Sequence, residues 1–409
     1  MQNFAKSKIE ADEASWSRLI FQGFLAILML IPVTLPVPVL RVLVHERFGV
    51  SEFETSLFMS VNMLGAVVAA PLVGWLADRW GQRRKIFLWT LALDAICFLS
   101  LMSPVPFSVF MGIRFIEGAA HIAALSMLLS IASTSVSAEH RGRALGLVGA
   151  GLLLGVALGA PLGGWLGRSD PLTPLLAGGV LILFTVSIAI PFLRDSDLRF
   201  ESKEPASGGL LFAIREQPKL TVPLIFAFAD RFTVGFYTTT FSLFLSRVYD
   251  FTPPQIGMLI AAFMLPFALL SYPFGWLSER TSRVGLLAAG SLLYGLGTAS
   301  LVFWSPGQLP YVMAAIGISA AVMFVPTMVL TTEYASEDLR STALSGFNAA
   351  GSLGFIVGPV VGGLVSQSFG HEGDWLAGYR AAFGVAGGFE IALVLFVLPF
   401  LRNAKKPNI

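Results

Sequence analysis

The chain has 409 residues, of which 55% are hydrophobic and only 13% are charged, and its mean hydropathy is +0.75. A soluble core cannot bury so much apolar surface, so the composition excludes an ordinary soluble protein and predicts a chain embedded in lipid. The formal net charge of +2 does not indicate a nucleic-acid partner, and a single cysteine, Cys97, excludes a disulfide framework. The 41 glycines and 23 prolines suit membrane helices, which predicts an all-α membrane protein.

Apolar runs of roughly 20 residues, the length that spans a bilayer, recur along the whole chain and give twelve candidate helices. Their centres lie near Leu30, Leu64, Leu93, Ala120, Leu154, Leu183, Val234, Met264, Leu292, Met323, Val357 and Leu393. One longer polar connection, residues 194–219, holds five basic and five acidic residues. We therefore predict a six-helix bundle over 1–193, a cytoplasmic linker over 194–219 with a short surface helix near 210–216, and a second six-helix bundle over 220–409.

Basic residues fall mainly on one side of these helices. With the N-terminus in the cytoplasm, 20 of the 27 Lys and Arg residues lie on the cytoplasmic side. The other side has Arg41, Arg47, Arg168, Arg247 and Arg380, and two arginines lie within helices. Because basic residues collect in cytoplasmic loops, this bias predicts a multi-pass protein with both termini in the cytoplasm.

The second half of the chain repeats the first. At an offset of 199 residues, the segments 141–164 and 340–363 share nine identities in 24 positions. At an offset of 201 residues, the sequence Gly-Trp-Leu at 74–76 recurs at 275–277, and Asp78-Arg79 corresponds to Glu279-Arg280. An even number of helices separates the copies, so the two halves are expected to be pseudo-symmetric bundles with the same orientation.

Three groups of residues form motifs at particular helices. The turn between helices 2 and 3 contains Gly74, Leu76, Ala77, Asp78, Arg79, Gly81, Arg83 and Arg84. Helix 4 contains Arg114-Phe115-Ile116-Glu117-Gly118. Helices 5 and 11 each contain glycines mainly at intervals of four, with one proline within the series. On helix 5 these residues are Gly155, Gly159, Pro161, Gly163 and Gly164, and on helix 11 they are Gly354, Gly358, Pro359, Gly362 and Gly363.

Together these motifs resemble those of the major facilitator superfamily of secondary transporters, over nearly the whole chain. The turn resembles the loop 2-3 motif of the family, with Gln82 where a basic residue is usual. Helix 4 is similar to the Arg-x-x-Gln-Gly motif of proton-coupled members, with Glu117 in the Gln position. Helix 5 resembles the antiporter motif, with its proline displaced by one position. The resemblance implies the major facilitator fold, alternating access, and the twelve-helix drug:proton antiporter branch.

Helix 1 departs from that branch, because many such antiporters carry an acid there and residues 21–40 contain none. The proton site must then lie elsewhere or be absent.

On helix 4, Arg114, Glu117 and His121 share one helical face. With a start near Phe107 and a rise of about 1.5 Å per residue, Glu117 lies roughly 15 Å deep. A carboxyl there is either protonated or paired with Arg114, so it is a candidate proton carrier or half of a permanent structural ion pair. His121 is either a titrating group or a packing residue.

Helix 7 supplies Asp230 and Arg231 near mid-depth. Adjacent residues project about 100° apart on a helix, so we expect each to have its own partner rather than to pair with the other. The resemblance places helices 1, 4, 7 and 10 around a central cavity, where Asp230 would oppose Arg114 and Glu117. Our hypothesis is that protonation of Glu117 or Asp230 alternates with occupancy by substrate.

Several other polar residues lie within the predicted helices. Asp94 on helix 3 and Glu390 on helix 12 are expected to have structural roles, because the resemblance places those helices at the periphery. Polar groups on presumed cavity helices could contact substrate or form interhelical hydrogen bonds, each with a contribution of roughly 1 kcal/mol. These residues are Gln22, Asn62, Tyr237 and Asn348.

The glycine series of helices 5 and 11 is expected to permit close approach of another helix, with local bends at the prolines. The resemblance places Asp78 against the start of helix 11, so that Asp78 and Arg79 form a cytoplasmic latch. The second copy, which lacks the turn glycine, is expected to form a weaker latch. The predicted gate residues are Gly74, Asp78, Arg79, Gly81, Arg83, Arg84, Arg141, Glu279, Arg280 and Arg340; for Arg83 and Arg84 the alternative role is to fix topology alone.

The four histidines, His45, His121, His140 and His371, lack paired ligand spacing, so we expect no metal and no cofactor. The sequence has neither a P-loop nor a Gly-x-Ser-x-Gly motif, which argues against an ATP-driven pump and a serine hydrolase. The predicted function is proton-coupled export of amphipathic or drug-like compounds from a bacterial-type inner membrane by a monomer that contacts lipids and protons and no nucleic acid. The alternatives are transport of lipid-like anions such as lysophospholipids, held by Arg114 and Arg231, and a transport-inactive sensor or scaffold.

Overall fold

The computed structural model describes residues 2–80, 82–135, 141–193, 209–336, 339–371 and 373–402, and the fold over these residues is all-α. The helices in chain order are α1 (Gln2–Thr34), α2 (Glu52–Trp80), α3 (Arg83–Ser100), α4 (Phe107–Thr134), α5 (Arg141–Leu166), α6 (Thr173–Phe192), α7 (Gly209–Glu216), α8 (Thr221–Thr238), α9 (Thr240–Val248), α10 (Pro253–Arg280), α11 (Arg283–Ser300), α12 (Leu309–Glu333), α13 (Arg340–Phe369) and α14 (Trp375–Arg402). A 3-10 turn, Val37–Val39, and a π-helical segment, Arg41–Glu46, follow α1.

Within these described ranges, eleven segments are long and apolar enough to cross a bilayer. The remaining predicted helix is α3, which begins with Arg83, Arg84 and Lys85 and contains Asp94 at its centre. Its charges, rather than its length, separate it from the other eleven. The predicted twelve-helix membrane architecture is therefore confirmed in its helical class and approximate helix number.

The span Pro218–Val248, which corresponds to the seventh of the twelve predicted helices, is interrupted. Helix α8 ends at Thr238 and α9 begins at Thr240, and between them Thr239 has φ −130° and ψ −74°, outside the helical region. The hydroxyls of Thr238 and Thr239 both donate to the carbonyl oxygen of Gly235, at 2.9 and 3.0 Å. These two bonds stabilise the end of α8 and leave α9 as a separate helix.

The chain divides into two compact units. Unit 1 comprises Met1–Pro36 and Val61–Glu201, and unit 2 comprises Val37–Ser60 and Ser202–Ile409. The segment Val37–Ser60, which connects α1 to α2, thus packs with the helices of the second half. Three helix pairings occur in both units, as the internal repeat predicts: α1–α5 with α8–α13, α3–α4 with α11–α12, and α3–α6 with α11–α14.

The glycine series makes the first of these pairings in each unit. In unit 1, a Cβ atom at Gly155, Gly159 or Gly163 would overlap the carbonyl oxygen of Ile27, Ile31 or Leu35 on the α1 side. In unit 2, a Cβ atom at Gly354 or Gly358 of α13 would overlap the carbonyl oxygen of Phe228 or Phe232 of α8. Glycine is therefore required for the backbones to approach each other. The expected close approach of another helix is confirmed, and in both cases the partner helix belongs to the same unit.

A short helix, α7, lies where the sequence predicts one, and it packs against unit 2. Ala213 is buried with Leu220 and with Ala335, Leu339 and Ala343 from the neighbouring ends of α12 and α13. Gln217 Oε1 accepts a hydrogen bond from the backbone N–H of Ser336 at 3.0 Å. The domain boundaries predicted from the sequence remain a prediction, since residues 194–208 lie outside the described residues.

Candidate functional site

The polar face of α4 forms a buried charge cluster in unit 1. Arg114 Nη1 pairs with Glu117 Oε2 three residues further along, and these residues are 1% and 3% exposed. Because burying an unpaired ion costs several kcal/mol, the pairing explains how both side chains exist inside a helix bundle. The predicted common face of Arg114, Glu117 and His121 is thus realised as direct contact between the first two.

Asn62 of α2 completes the environment of Glu117. Its Nδ2 donates to Glu117 Oε2 at 2.6 Å. The approach of α2 to α4 depends on glycine, since a Cβ atom at Gly118 would overlap the carbonyl oxygen of Asn62, and one at Gly65 would overlap that of Phe115. Glu117 therefore accepts hydrogen bonds from two donors, one charged and one neutral, at a single carboxylate oxygen.

His121 extends the cluster to α3. His121 Nδ1 lies 2.9 Å from Asp94 Oδ2, and the Asp94 side chain is completely buried. In the described part of the chain, Asp94 Oδ1 and His121 Nε2 are buried without a hydrogen-bond partner. Sequence reasoning assigned Asp94 to the periphery, apart from the helix 4 residues. The structure instead brings Asp94, His121 and Glu117 together, with one ligand atom of each within 4.8 Å of the others.

Three such donors suit a metal ion in number, but the charges around them do not suit one. Glu117 Oε2 is already occupied by the Arg114 guanidinium and the Asn62 amide. A divalent cation would have to sit beside a buried guanidinium, and like charges in a low-dielectric interior repel strongly. The cluster has two acids, one permanent cation and one histidine. With His121 neutral and both acids ionised its net charge is negative, so a single added proton makes it neutral.

Gln22 of α1 makes an interhelical hydrogen bond. Its Nε2 donates to Ser135 Oγ, just beyond the end of α4, at 3.1 Å, and Gln22 is 3% exposed. Thr34 Oγ1 similarly donates to the carbonyl oxygen of Val156 on α5 at 2.9 Å. Of the two roles open to Gln22, the interhelical hydrogen bond is the one present in this structure.

Unit 2 contains a second charge pair, on α8. Arg231 Nη1 donates to Asp230 Oδ2 at 3.0 Å. The expectation that these adjacent residues do not pair is wrong, because the long arginine side chain is able to curve back around the helix although the two Cβ atoms diverge. The Arg231 guanidinium also lies over the rings of Phe324 and Phe355, 4.8 and 5.8 Å from their centroids. Aromatic faces thus stabilise this cation together with the carboxylate.

Beside this pair lies a narrow apolar crevice that has no space for a water molecule. Its lining residues are Phe226, Ala227, Asp230, Met323, Phe324, Thr327 and Phe347. Asp230 is the one charged residue of this lining, and aromatic rings form much of the rest. Because Asp230 is already paired with Arg231, this crevice carries no uncompensated charge in this structure.

Two of the predicted substrate contacts in unit 2 have different surroundings. The Tyr237 hydroxyl bonds to Thr298 Oγ1 at 2.7 Å, and its ring stacks on Phe263 with centroids 4.9 Å apart. Tyr237 is only 1% exposed, so in this structure it is a packing residue. Asn348 is exposed on α13.

Much of the predicted gate lies outside the described residues. The structure does not describe Gly81 or the side chains at Gly74, Asp78 and Arg141, so the predicted latch of Asp78 and Arg79 stays a prediction. Arg79, Glu279 and Arg340 are exposed, and Arg83 is half-buried. Arg84 Nη2 donates to the carbonyl oxygen of Ile190 at the end of α6. In the second copy, Arg280 stacks on Trp276, one turn earlier in α10, with 3.9 Å to the ring centroid.

A third group of charges, missed by sequence reasoning, occurs in unit 2 and is named the Glu52 cluster. Glu52 Oε1 pairs with Arg247 of α9, and Tyr379 of α14 donates to Glu52 Oε2 at 3.3 Å. His45 Nε2 is 3.5 Å from Arg247 Nη2, and the Arg247 guanidinium lies over the Trp375 ring at 3.9 Å. In the sequence, Glu52 and Arg247 both lie at ends of apolar runs on the same predicted side of the membrane. That position predicts that both residues lie near the same membrane surface, but it does not predict that they pair with each other.

Backbone contacts hold the rest of the Val37–Ser60 segment in unit 2. Ser242 Oγ donates to the carbonyl oxygen of Val37 at 2.6 Å, and Ser60 Oγ donates to that of Ile356 at 2.8 Å. The backbone N–H of Phe53 donates to Gln367 Oε1 at 3.1 Å. The segment is therefore attached to α9 and α13 at both of its ends and in its middle.

Repeated helical units with apolar spans and intramembrane ion pairs define a multi-pass membrane protein. The model of the Major Facilitator Superfamily matches residues 23–241 and 223–409, and the chain belongs to this superfamily of transporters. It is not an enzyme family.

Relatives differ in substrate. The chain is 27% identical over 260 residues to the MFS-type transporter SLC18B1 of Mus musculus, with 59% of this chain and 55% of that protein covered, so it spans just over half the length of this relative. It is 24% identical over 371 residues to the 3-(3-hydroxy-phenyl)propionate transporter of Escherichia coli (strain K12), with 89% of each covered. It is 25% identical over 377 residues to the multidrug resistance protein MdtG of Dickeya zeae (strain Ech586), again with 89% of each covered.

Among solved structures, the fold is similar to a bacterial homolog to the human lysosomal transporter Spinster, in an inward-facing and unoccupied conformation. The TM-score is 0.79 at 16% identity, and the match covers 97% of this chain and 99% of that chain. At this identity the likeness shows the fold alone.

Proposed function

We propose that this transporter exports amphipathic or drug-like organic compounds across a bacterial-type inner membrane in exchange for protons, with both termini in the cytoplasm. The observation that carries the proposal is the buried cluster of Arg114, Glu117, His121, Asp94 and Asn62 in unit 1. The full-length similarity to a multidrug resistance protein supports the substrate class. The similarity to the 3-(3-hydroxy-phenyl)propionate transporter supports a substrate that includes an aromatic group.

The charge balance of the cluster is the basis for coupling. Burial favours a neutral group of charges over a net charge, because each uncompensated ion loses its hydration. Arg114 offsets one acid, and the proton shared by His121 and Asp94 offsets the other. Removal of that proton leaves a net negative charge, which attracts a cationic substrate, and reprotonation expels it. Proton and cationic substrate would thus alternate at one site, which is the requirement for antiport.

The experiment uses the full chain in proteoliposomes with an internal pH indicator. Addition of a fluorescent lipophilic cation is expected to produce a pH change in the wild type, and Glu117→Gln and Asp230→Asn are each tested for loss of that change. Asp170→Asn is the matched control, because Asp170 is an exposed acid of unit 1 whose Oδ1 accepts only a local turn hydrogen bond from Leu172. Proton-driven transport that survives both substitutions would refute the proposal, and an absence of substrate-induced proton flux in the wild type would favour a sensor or scaffold.

Transport of lysophospholipid-like anions is the alternative, and the structure gives it less support. The two arginines that would hold an anionic head group are already paired, Arg114 with Glu117 and Arg231 with Asp230. A head group would have to displace a carboxylate from each. Competition between a lysophospholipid and the fluorescent cation for binding to purified protein separates the two substrate classes.

The cytoplasmic latch remains part of the proposal. The acid of this latch is Asp78, as the motif of the turn between helices 2 and 3 predicts. We expect Asp78→Asn to lower the transport rate more than it lowers substrate binding. Equal losses of rate and binding would show that Asp78 contributes to the substrate site and is not a latch.

A further inference from the structure

Glu390 of α14 is a buried acid that lies outside the charge cluster of α4. Its side chain is completely inaccessible, and so are Ser291 and Tyr294 of the adjacent α11. Ser291 Oγ donates to Glu390 Oε2. In the described part of the chain, Glu390 Oε1 and the Tyr294 hydroxyl are both buried without a hydrogen-bond partner.

In its ionised form, Glu390 would lack most of the hydrogen bonds that a buried carboxylate needs. An ionised carboxylate accepts about four hydrogen bonds, and here one donor is present. No Lys, Arg or His of the described residues forms an ion pair with Glu390, whereas Glu52, Asp94, Glu117 and Asp230 each have a basic partner. An isolated buried charge normally takes up a proton and becomes neutral instead. The neutral acid needs fewer donors, and it supplies a hydrogen-bond donor of its own to the region with the orphaned Tyr294 hydroxyl.

Hydroxyl groups continue from Glu390 along one face of α11. Ser291, Tyr294 and Thr298 are spaced by three and four residues, so they share that face. Thr298 Oγ1 donates to the carbonyl oxygen of Tyr294 at 2.8 Å, so its single proton is used there. The contact of 2.7 Å between Thr298 Oγ1 and the Tyr237 hydroxyl then requires Tyr237 to be the donor. The face therefore presents a buried row of hydroxyls between Glu390 and α8.

The charged and titratable groups around this row come from a few elements. From α11 they are Tyr294 and, at the start of the helix, Arg283; from α8 they are Tyr237, Asp230 and Arg231. The other helices packed on α14 are α13 and α9, whose only charged residues are Arg340 at the start of α13 and Arg247 near the end of α9. Asp230, the acid among these groups, is paired with Arg231, and none of the basic groups named here forms an ion pair with Glu390 in the described residues.

We propose that Glu390, with Ser291 and Tyr294, is a second proton-binding site of this transporter, located in unit 2 and separate from the cluster on α4. Its ligand is one proton on the Glu390 carboxyl. The site is closed in this structure, and the proton leaves when a rearrangement of α11 and α14 admits water to the carboxyl. The existence of the site does not depend on the proposed export, but its contribution to the number of protons exchanged rests on that function.

The direct test is infrared difference spectroscopy of the purified full chain in detergent, with wild type compared with Glu390→Gln. Glutamine has the same shape and keeps a carbonyl acceptor for Ser291, so the variant is expected to fold. We expect the wild type to show the carbonyl band of a neutral carboxylic acid near neutral pH, the variant to lack that band, and the band to fall as the pH is raised and return on acidification. Ser291→Ala is expected to shift the frequency of the same band, because it removes the hydroxyl on Oε2.

Two results would overturn the proposal. Identical wild-type and Glu390→Gln spectra would show that Glu390 is ionised, and a Glu390 band that stays constant over the whole pH range of the folded protein would show a permanently neutral structural acid. The second readout is the number of protons released per substrate in proteoliposomes, which is expected to be lower by one in Glu390→Gln. Failure of export in the wild type would refute the proposed function and leave the infrared assignment standing, so the two failures are distinguishable.

Discussion

Glu52, the first residue of α2, forms an ion pair with Arg247 of α9, and the Glu52 side chain is completely buried while that of Arg247 is 18% exposed. The two residues are 195 positions apart in the chain. The pair joins the segment between α1 and α2 to the helices of the second half, within unit 2. Tyr379 supplies a further donor to Glu52, so removal of the Glu52 charge weakens a network and not a single contact.

We predict that Glu52→Gln lowers the stability of the protein by about 1–3 kcal/mol, because Arg247 then keeps its charge without an anionic partner. The measurement is the midpoint of thermal unfolding of the purified protein in detergent. Glu46→Gln is the matched control: Glu46 pairs with Arg41 at 3.3 Å, but its side chain is 48% exposed. An exposed pair of that kind contributes at most about 1 kcal/mol. Equal effects of the two substitutions would contradict the importance of burial.

We predict that Asp94→Asn lowers substrate-induced proton release by one proton per substrate and weakens binding of a cationic substrate, because the cluster then never carries the negative charge that attracts the cation. With Asp94 neutral, Arg114 and Glu117 balance each other and the cluster has no need of a proton. The experiment measures proton release and binding of a fluorescent cation on the same purified sample. Continued release of the wild-type number of protons by Asp94→Asn, with Asp170→Asn as control, would assign the exchangeable proton to a group outside this cluster.

The glycine series gives a prediction about packing. Gly159→Ala is expected to destabilise unit 1 by about 1–3 kcal/mol through overpacking, since its Cβ would meet the Ile31 carbonyl oxygen and Thr34 Oγ1. Gly149→Ala, ten residues earlier in the same helix, has no atom within 4 Å of its added Cβ. We expect that control to be neutral or stabilising by up to about 1 kcal/mol, as alanine favours helix over glycine. Thermal unfolding of both variants measures the difference, and a neutral Gly159→Ala would refute the required contact.

The Asp230–Arg231 pair predicts non-additive substitutions. Arg231→Leu leaves the nearly buried Asp230 without its cation and is expected to cost about 3 kcal/mol. Asp230→Asn in the same chain removes the uncompensated charge, so the double variant is expected to be more stable than Arg231→Leu alone. Thermal unfolding of the two single variants and the double variant forms the cycle. Additive losses would mean that the contact of 3.0 Å contributes no coupling.

The sequence predicts a contact correctly where both residues lie on one helix, because the spacing of residues along a helix determines which of them share a face. Arg114 and Glu117 lie three positions apart on one helix, so their common face follows from helical geometry. The contribution of Asn62 and Asp94 was not predictable, because α2 and α3 each present polar residues whose direction depends on rotation of the helix about its axis. A span that is apolar around its circumference gives no sequence signal for that rotation.

The Asp230–Arg231 pair and the Glu52 cluster were missed for two other physical reasons. The first depends on a side-chain conformation, and a flexible arginine reaches acceptors that its Cβ direction does not indicate. The second depends on a connecting segment that joins helices of the opposite half of the chain, and the boundary predicted at 1–193 counted this segment with the helices beside it in sequence. Pairing over 195 residues requires the three-dimensional fold.

The interruption of the seventh span at Thr239 divides its charged residues between two helices, α8 and α9. Helix α8 carries Asp230 and Arg231 and packs on α13 through the glycine contacts. Helix α9 carries Arg247, which pairs with Glu52 of the Glu52 cluster. A continuous helix would transmit any tilt of one end to the other. With the non-helical Thr239 between them, α8 and α9 do not have to share one helix axis. The seventh span thus consists of two helices joined at Thr239, each with its own charge pair: Asp230–Arg231 on α8, and Arg247 with Glu52 on α9.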